Sequence, residues 1–458
     1  MVIDSKFGVG VGRRSRPLVY IRDYAPSAPS KGFSDFNLSE KLASNGILAA
    51  KISGIANGQF EDKLNNQVID VDTGEVVSGS VLNSRVERYK LKSAVNDFIS
   101  KSRTAKCMRW IRGNNQAQVF TYINPQSQKT HAFYGNLMVC GNVWLCPLCA
   151  AKISERRREE MTDVFRVAKK QGFDVAMLTL TAPHYIGDEL KQLVDRLQDA
   201  LAKGFRDRSG KNFIKKYGIV GRIRALEVTW SEDNGFHPHF HILLFVPSGI
   251  DQKLMSNMKA DFYPIWKNAC VAKKLGVPSL KHGVSVDGAD KAEGYVAKWG
   301  LESEMTKSHI KRSKKGYSMF DLLRAYVATE DEKFKRVWMV YASAFKGRKQ
   351  LVWTNGLRDL FSTGCLGEVT DEEIATEHRE DASLFAELTF EQWKAVYQTK
   401  SEAYLLKVVE ERPLEFDAFI EGLEKLYVLM GKPDRGRKSK TLNKSVNNKN
   451  QEISSEIL

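Results

Sequence analysis

The stretch FHPHFHILLF, residues 236–245, decides the fold class because it carries a different chemistry at odd and even positions. Side chains alternate between the two faces of a β-strand. His237, His239 and His241 therefore share one face, and the apolar side chains that follow Phe240 at every second position share the other. The apolar positions predict a strand of a buried sheet, and the imidazoles predict a polar site on that sheet.

A hairpin is predicted to join this strand to the one before it. The turn SEDNG, residues 231–235, separates it from the β-rich segment RIRALEVTW. Pairing Trp230 with Phe236 sets Glu227 opposite His239 on the same face. A slip of one residue would turn Glu227 into the core, so this register is the favoured one.

Two imidazoles and a carboxylate on adjacent strands form a donor set for a divalent cation, Mg or Mn, with open positions for substrate oxygens. We expect His239 and His241 to be ligands, with Glu227 as the third and His237 as its substitute. The alternative is that the histidines are hydrogen-bonded residues of a polar strand face.

Strands and helices alternate around the hairpin. The predicted elements are a strand at 174–181, helices at 187–206 and 251–274, a strand at 283–286, and a helix that carries residues 293–299. Because a hairpin joins the two central strands, the pattern predicts an α+β fold with an antiparallel sheet rather than a doubly wound parallel one. Beyond residue 300 the chain reads as mainly helical, with core aromatics Trp338, Tyr341, Phe345, Phe385, Trp393 and Tyr397.

Four cysteines precede this region, and their spacing favours a structural zinc site. Cys146 and Cys149 form a CxxC pair, Cys140 lies six residues upstream, and Cys107 is the fourth thiolate of a tetrahedral set. His131 is the alternative to Cys107. A redox CxxC is the competing interpretation, but such a pair normally opens a helix in a thioredoxin-like βαβ unit, which this pattern does not predict.

The charge balance points to a polyanionic partner. Lys and Arg outnumber Asp and Glu by 70 to 55 over 458 residues, giving a net charge of +15. Nucleic acid and an anionic membrane surface are the leading options. Neither a transmembrane window nor a secretory leader is predicted, so we expect a cytoplasmic protein without a membrane partner. The arginine run that begins with Arg156 and Arg157 is either a solvated helix face or a phosphate contact.

Taken in order, the motifs resemble those of HUH endonucleases, specifically the rolling-circle replication initiators of small plasmids and related phages. The resemblance covers about residues 105–400. The motifs that carry it are WLCPLCAAK (144–152), MLTLTAPH (177–184), RALEVTW (224–230), HPHFHILLF (237–245), EGYVAKW (293–299), EMTK (304–307) and FKGRKQLVWTNGLR (345–358).

The resemblance implies a ferredoxin/RRM-like palm as the nuclease core, with an N-terminal zinc segment and a C-terminal helical extension. It also implies metal-assisted nicking of one DNA strand, in which Tyr295 attacks the scissile phosphate and leaves a 5′-phosphotyrosine and a free 3′-hydroxyl. Lys298, at i+3, would stabilise the phenolate. Glu293 is the nearest carboxylate for a termination step, although it lies two residues before the tyrosine rather than four.

The partners implied are single-stranded or extruded origin DNA, a host helicase and a polymerase, with a homodimer left open. The basic residues proposed to contact DNA are Arg222, Arg224, Arg156 and Arg157. Competing functions are a zinc-dependent, non-catalytic DNA-binding protein, and an HUH relaxase or transposase. Relaxases usually carry the tyrosine before the histidines, and the transposases are typically much shorter.

Five regions are predicted along the chain. They are a poorly defined N-terminal region (1–95), a Cys-rich zinc segment (96–155), the endonuclease domain (156–300), a mainly helical region (301–430) and a disordered basic tail (431–458).

Overall fold

The structure is a computed structural model that describes residues 67–69, 76–78, 81–113, 116–125, 128–297, 316–361, 369–377 and 379–431. The predictions made for most of the N-terminal region, for Lys298, for the segment 304–307 and for the tail after 431 lie outside the described residues.

Ten strands and fourteen α-helices lie within the described residues. The strands are β1 (Gln67–Ile69), β2 (Val76–Ser78), β3 (Ala117–Ile123), β4 (Thr130–Gly135), β5 (Phe173–Thr181), β6 (Gly221–Ser231), β7 (Gly235–Pro247), β8 (Val284–Asp287), β9 (Leu351–Trp353) and β10 (Ser383–Leu388). The helices are α1 (Val81–Phe98), α2 (Arg103–Lys106), α3 (Pro147–Lys170), α4 (Leu190–Arg206), α5 (Arg208–Lys216), α6 (Gln252–Ala272), α7 (Ala289–Ala297), α8 (Met319–Thr329), α9 (Glu332–Ala344), α10 (Leu357–Leu360), α11 (Asp371–Thr376), α12 (Phe390–Gln398), α13 (Glu402–Glu411) and α14 (Phe416–Leu429).

The main sheet has five strands in the order β8-β5-β7-β6-β9, and every neighbouring pair is antiparallel. In chain order, the strands from β5 to β8 are connected as strand, helix, strand, strand, helix, strand. This is the connectivity of ferredoxin-like folds. The predicted α+β fold with an antiparallel sheet is confirmed.

One face of β7 is apolar along the strand. Phe240, Ile242 and Leu244 of β7 are fully buried there. They pack with apolar side chains of α4 and α6, including Leu197 and Phe262, in one core cluster. Leucines at helical spacing along α4 give it the apolar stripe that this face requires.

The opposite face is apolar only at one end. Leu243 and Phe245 are buried there with residues of α3 and α7, including Met161 and Val296. Toward the other end of β7 the same face carries the histidines. Both faces of β7 are therefore buried at its C-terminal end, whereas the histidine face is polar at its N-terminal end.

A second, three-stranded sheet has the order β10-β3-β4 and packs on α12, α13 and α14. The region predicted to be mainly helical thus contributes β9 to the main sheet and β10 to this one. Phe385, predicted as an aromatic of the helical region, lies in β10 and contacts Phe416 edge to face. Helix α1 crosses the predicted boundary at residue 95, and the proposed domain limits stay a prediction.

Candidate active site

The hairpin between β6 and β7 has the predicted register. Trp230 pairs with Phe236, and Glu227 pairs with His239. The turn closes through Gly235, whose positive φ of 70° favours glycine. On its other side β7 pairs with β5, which sets Thr179 opposite His241. Two different strands therefore supply groups on either side of the histidine strand.

Glu227, His239 and His241 form one cluster of metal-binding groups. Glu227 Oε2 lies 3.4 Å from Nε2 of His239 and 3.5 Å from Nε2 of His241. The two imidazoles are 12% and 16% exposed, whereas the carboxylate is 37% exposed, so the cluster opens to solvent on the glutamate side. A substrate oxygen can approach from that side.

The charge of Glu227 is stabilised by its neighbours. Burial alone would raise the pKa of this carboxyl, but the hydrogen bonds and charges of His239 and His241 outweigh burial and hold the pKa well below its usual value. Glu227 is thus held in the ionised form that binds a cation.

The outer nitrogen of each ring has its own partner. His241 Nδ1 lies 3.0 Å from Oγ1 of Thr179, and His239 Nδ1 lies 3.2 Å from the carbonyl oxygen of His237. Such contacts fix the ring orientation and leave Nε2 to face a metal. Thr179 was not predicted as a site residue, although it lies in the motif MLTLTAPH and the pairing of β5 with β7 would have revealed it.

His237 is held differently from the other two histidines. Its Nδ1 lies 3.2 Å from Nδ1 of His184, in the segment after β5. Burial, followed by the charges of His239 and His184, lowers the pKa of His237 to about 3. His237 is outside the cluster that Glu227 forms with its two histidines.

Tyr295 reaches this cluster from α7. Its hydroxyl donates a hydrogen bond of 2.5 Å to Oε1 of Glu227, and its ring centroid lies 4.6 Å from that of His241. Ala292 and Val296, on neighbouring turns of α7, are buried in the core beneath the sheet. This packing fixes the helix and holds the tyrosine beside the carboxylate.

Glu293 is exposed. It lies two residues from Tyr295, and residues two apart on a helix do not share a face. The structure does not bring Glu293 to the cluster. Lys298 lies outside the described residues.

The three-residue cluster has the spacing that a divalent ion needs. Ligands about 2.1 Å from a metal are about 3.0 to 3.5 Å from one another in octahedral or tetrahedral geometry. The separations from Glu227 Oε2 to the two imidazoles match this range. These groups could hold a metal ion, and the mixed nitrogen and oxygen donors are compatible with Mg or Mn.

The second cluster of metal-binding groups comprises the four predicted cysteines, Cys107, Cys140, Cys146 and Cys149. The Sγ atom of Cys107 lies 3.4 Å from that of Cys149 and 3.7 Å from that of Cys146. The sulfurs of a tetrahedral zinc site with bonds of about 2.3 Å are about 3.8 Å apart, so these residues fit such an ion.

The cysteine cluster joins distant parts of the chain. Cys146 is the residue before α3, and Cys149 lies in its first turn. The CxxC pair thus does open a helix, as a redox pair would. Convergence of four thiols on one point favours metal binding. Burial raises the pKa of Cys146, but hydrogen bonds from the other three thiols hold it well below its usual value. His131 does not replace Cys107, since its ring stacks on Tyr122 in the small sheet.

Arg157 does not lie on a solvated helix face, the first of the two alternatives for the arginine run. It is 9% exposed, and it pairs with Glu160 at 2.8 Å and with Asp371 at 3.2 Å. This arginine therefore ties α3 to α11. Arg156 is more exposed and lies within 4.0 Å of Glu159 and Glu377. DNA contact by either residue stays a prediction.

Arg222 and Arg224 lie on the face of the main sheet opposite to the histidines. In the register of β6 and β7 they pair with Leu244 and Ile242, whose side chains point away from the cluster. The side chains of these two arginines thus point away from the cluster, and their contact with DNA stays a prediction.

The fold and the site together define an α+β protein whose antiparallel sheet holds two histidines and a glutamate in one cluster, with a tyrosine of α7 beside it. A family model described as a replication protein matches residues 135–404. The chain belongs to this family of replication proteins, designated Rep_1. The resemblance drawn from the motifs is confirmed at the level of the family.

Two of three similar proteins carry the name Protein rep. Protein rep of Streptomyces lividans is 28% identical over 292 residues, 49% of this chain and 64% of the relative. The neomycin resistance protein of Streptomyces cyanogenus is 33% identical over 134 residues, 24% of this chain and 31% of the relative. Protein rep of Bacillus amyloliquefaciens is 25% identical over 244 residues, 52% of this chain and 68% of the relative. The chain spans less than two thirds of the length of the first two relatives.

No solved structure matches this chain. Within the part of the chain that the structure describes, no helix is both long and apolar enough to cross a membrane.

Proposed function

We propose that this protein initiates rolling-circle replication by nicking one strand of origin DNA, with Tyr295 as the nucleophile. The observation that carries the proposal is the hydrogen bond of 2.5 Å from the Tyr295 hydroxyl to Glu227, a member of the histidine cluster. A phenol and a candidate metal site in direct contact are the two parts that a phosphodiester transesterification needs.

The reaction exchanges one ester for another. The Tyr295 oxygen forms a bond to the scissile phosphorus, the bond from phosphorus to the 3′-oxygen breaks, and the phenol proton is lost while the 3′-oxygen gains one. The products are a 5′-phosphotyrosine and a free 3′-hydroxyl. Because the phosphodiester is conserved in the protein–DNA bond, a later reversal can re-join the strand without an external energy source.

Each residue of the cluster has its own role in this reaction. Glu227 accepts the hydrogen bond of Tyr295 and so directs the phenol oxygen toward the open side of the cluster. His239, His241 and Glu227 would hold the divalent ion, Mg or Mn. When bound there, such an ion would polarise the phosphate and neutralise the charge that develops in the transition state. Glu293 is assigned no step, because it is exposed on another side of α7.

The cysteine cluster has a structural role in this proposal. A zinc ion held by Cys107, Cys140, Cys146 and Cys149 would fix the segment after α2 and the loop after β4 against the start of α3. Helix α3 in turn packs on the sheet face that carries the site.

The free 3′-hydroxyl would serve a host polymerase as a primer, after a host helicase has opened the duplex.

A covalent-adduct assay tests the proposal. Wild type and Tyr295→Phe are incubated with Mn²⁺ and single-stranded oligonucleotides that tile a candidate origin. We expect a slower-migrating, denaturant-resistant adduct with wild type and none with Tyr295→Phe, because phenylalanine lacks the attacking oxygen. Full-rate nicking by the variant would overturn the mechanism. Binding without an adduct on any oligonucleotide would instead favour a non-catalytic DNA-binding protein.

A further inference from the structure

A groove of about 560 Å³ lies on the face of the main sheet opposite to the histidine cluster. It runs between α4 and the end of β9. Arg222 and Arg224 are among its lining residues, with Leu201 and Phe205 from α4, and Val352 and Asn355 from the β9 side.

The two arginines are placed side by side by the strand itself. Residues at i and i+2 of a strand lie about 6.6 to 6.8 Å apart on one face. Arg224 pairs with Ile242 on one side and with Val352 on the other. Successive phosphates of a nucleic-acid strand have a separation similar to that of these two backbone positions, which suits one arginine to each phosphate.

Both guanidiniums are packed on aromatic rings. The Arg222 guanidinium lies 4.3 Å from the centroid of the Phe205 ring, and that of Arg224 lies 5.4 Å from the Phe240 ring. Arg224 also donates to the carbonyl oxygen of Lys349 at 3.3 Å. These contacts orient the charged groups, and they leave further N–H donors of each fork for an anion.

The described part of the chain gives neither arginine a carboxylate partner, in contrast to Arg157. Burial lowers the pKa of Arg222, and it lowers the pKa of Arg224 to about 10, with no acidic group to offset the effect. Half-buried positive charge without a counter-charge is costly unless an anion is bound.

We propose that this groove binds the sugar-phosphate backbone of a DNA strand, as a second contact on the side of the sheet away from the nicking cluster. The proposal rests on the proposed function for the identity of the polyanion. The exposed Val352 and the half-buried Leu201 form an apolar wall against which sugars can pack, while the arginines engage the phosphates.

Salt-dependent binding tests this proposal without the chemical step. Fluorescence anisotropy is measured without added Mg²⁺ or Mn²⁺, with a labelled single strand and with its duplex, for wild type and Arg222→Gln/Arg224→Gln. The variant should bind several-fold more weakly. The slope of log affinity against log salt should shrink by about 1.4 for the single strand, or about 1.8 for the duplex, because two phosphate contacts are lost.

A matched control removes the same charge elsewhere. Lys169→Gln/Lys170→Gln changes two exposed residues at the end of α3, and it should keep the wild-type slope. Arg222→Lys/Arg224→Lys should restore most of the slope, since the charge is retained. Unchanged affinity and slope for the glutamine variant on both DNA forms would overturn the proposal.

A measurement on the wild-type protein covers the case in which the glutamine variant does not fold. Arginines are modified with phenylglyoxal with and without the oligonucleotide, and the sites are quantified by mass spectrometry. Arg222 and Arg224 should be protected several-fold by DNA, whereas the exposed Arg166 should not. Equal modification of Arg222 and Arg224 with and without DNA would overturn the proposal that the groove binds DNA. A missing Tyr295 adduct would leave this result unaffected and would instead contradict the nicking mechanism.

Discussion

The far side of each imidazole ring decides which histidines of the FHPHFH stretch can bind a metal. The Nδ1 atoms of His241 and His239 face Thr179 and a backbone carbonyl, so both Nε2 atoms turn to Glu227. His237 instead meets His184. The alternation of side chains predicted the shared face. This alternation could not predict which of the three histidines bind a metal, because residues of β5 and of the segment after it contact the rings.

Replacing His239 or His241 should greatly weaken metal binding, and replacing His237 should not. We expect His239→Ala and His241→Ala to weaken Mn²⁺ binding by more than the roughly 10- to 100-fold that loss of an outer partner costs. Thr179→Val should fall within that smaller range. His237→Ala should stay close to wild type, as measured by isothermal titration calorimetry. A His237→Ala loss as large as that of His241→Ala would make His237 a ligand.

His237 should also make stability depend on pH in the metal-free protein. Its folded-state pKa of about 3 lies below the ordinary value of about 6.5, so the unfolded chain takes up the proton first as pH falls. This residue therefore costs no stability above about pH 6.5, and its destabilising effect grows from there toward pH 3.

Denaturant midpoints measured from pH 4 to 7 without added Mg²⁺ or Mn²⁺ check this expectation. The fall in stability toward low pH should be shallower in His237→Asn than in wild type. His282→Asn, a change at an exposed histidine, should follow the wild-type curve. A His237→Asn curve parallel to wild type would show that this ring titrates normally.

At the scale of elements, the hairpin was predictable and the edge of the sheet was not. The alternation of apolar and polar residues, together with the turn ending at Gly235, is enough to predict the register of β6 and β7. The strand β9 has only three residues, and its pairing with Ile223 and Arg224 depends on packing rather than on a local pattern. The groove that it helps to form could not be foreseen for the same reason.

Helix α7 is a second element whose local pattern was informative. Its position after β8 and its tyrosine motif were both predicted from the sequence. The contact of Tyr295 with Glu227 was not, because residues 68 positions apart meet only through the burial of Ala292 and Val296. The sequence thus predicted the helix, but tertiary packing determines that its tyrosine lies at the candidate metal site.

The cysteine cluster should bind one zinc ion that stabilises the fold. Cys149→Ser should reduce zinc content from about one ion per chain to near zero and lower the melting temperature, because metal binding adds to folding free energy. Cys270→Ala should keep the zinc, since Cys270 is buried in the core away from the cluster. Metal analysis by plasma mass spectrometry and thermal denaturation measure both effects. Full zinc content in Cys149→Ser would show that Cys149 is not a ligand, and wild type without zinc would instead favour the redox interpretation.

At the scale of the whole molecule, contacts between distant segments set the limits of what the sequence can predict. The small sheet pairs β10 with β3, which is more than 260 residues away in the chain. Arg157 is buried between α3 and α11 because Asp371 meets it there. A charged run on a helix normally predicts a solvated face. Neither arrangement leaves a periodic signal in the sequence.

The net charge of +15 should make DNA affinity strongly dependent on salt. Residues 432–458 carry seven Lys and Arg against three Asp and Glu. Removing them should weaken DNA binding and reduce the salt slope, with no change in melting temperature. Anisotropy titrations and thermal denaturation of the two chains test this expectation. An unchanged slope would place the relevant charge within residues 1–431.

The identity of the residue that bonds to DNA tests the central claim most directly. The adduct formed with Mn²⁺ and origin DNA is digested with nuclease and trypsin, and the nucleotide-linked peptide is sequenced by mass spectrometry. We predict residues 292–298, AEGYVAK, with the phosphate on Tyr295, the only hydroxyl-bearing side chain in that peptide. A phosphate on any other tyrosine, or on a serine, would contradict the proposed mechanism.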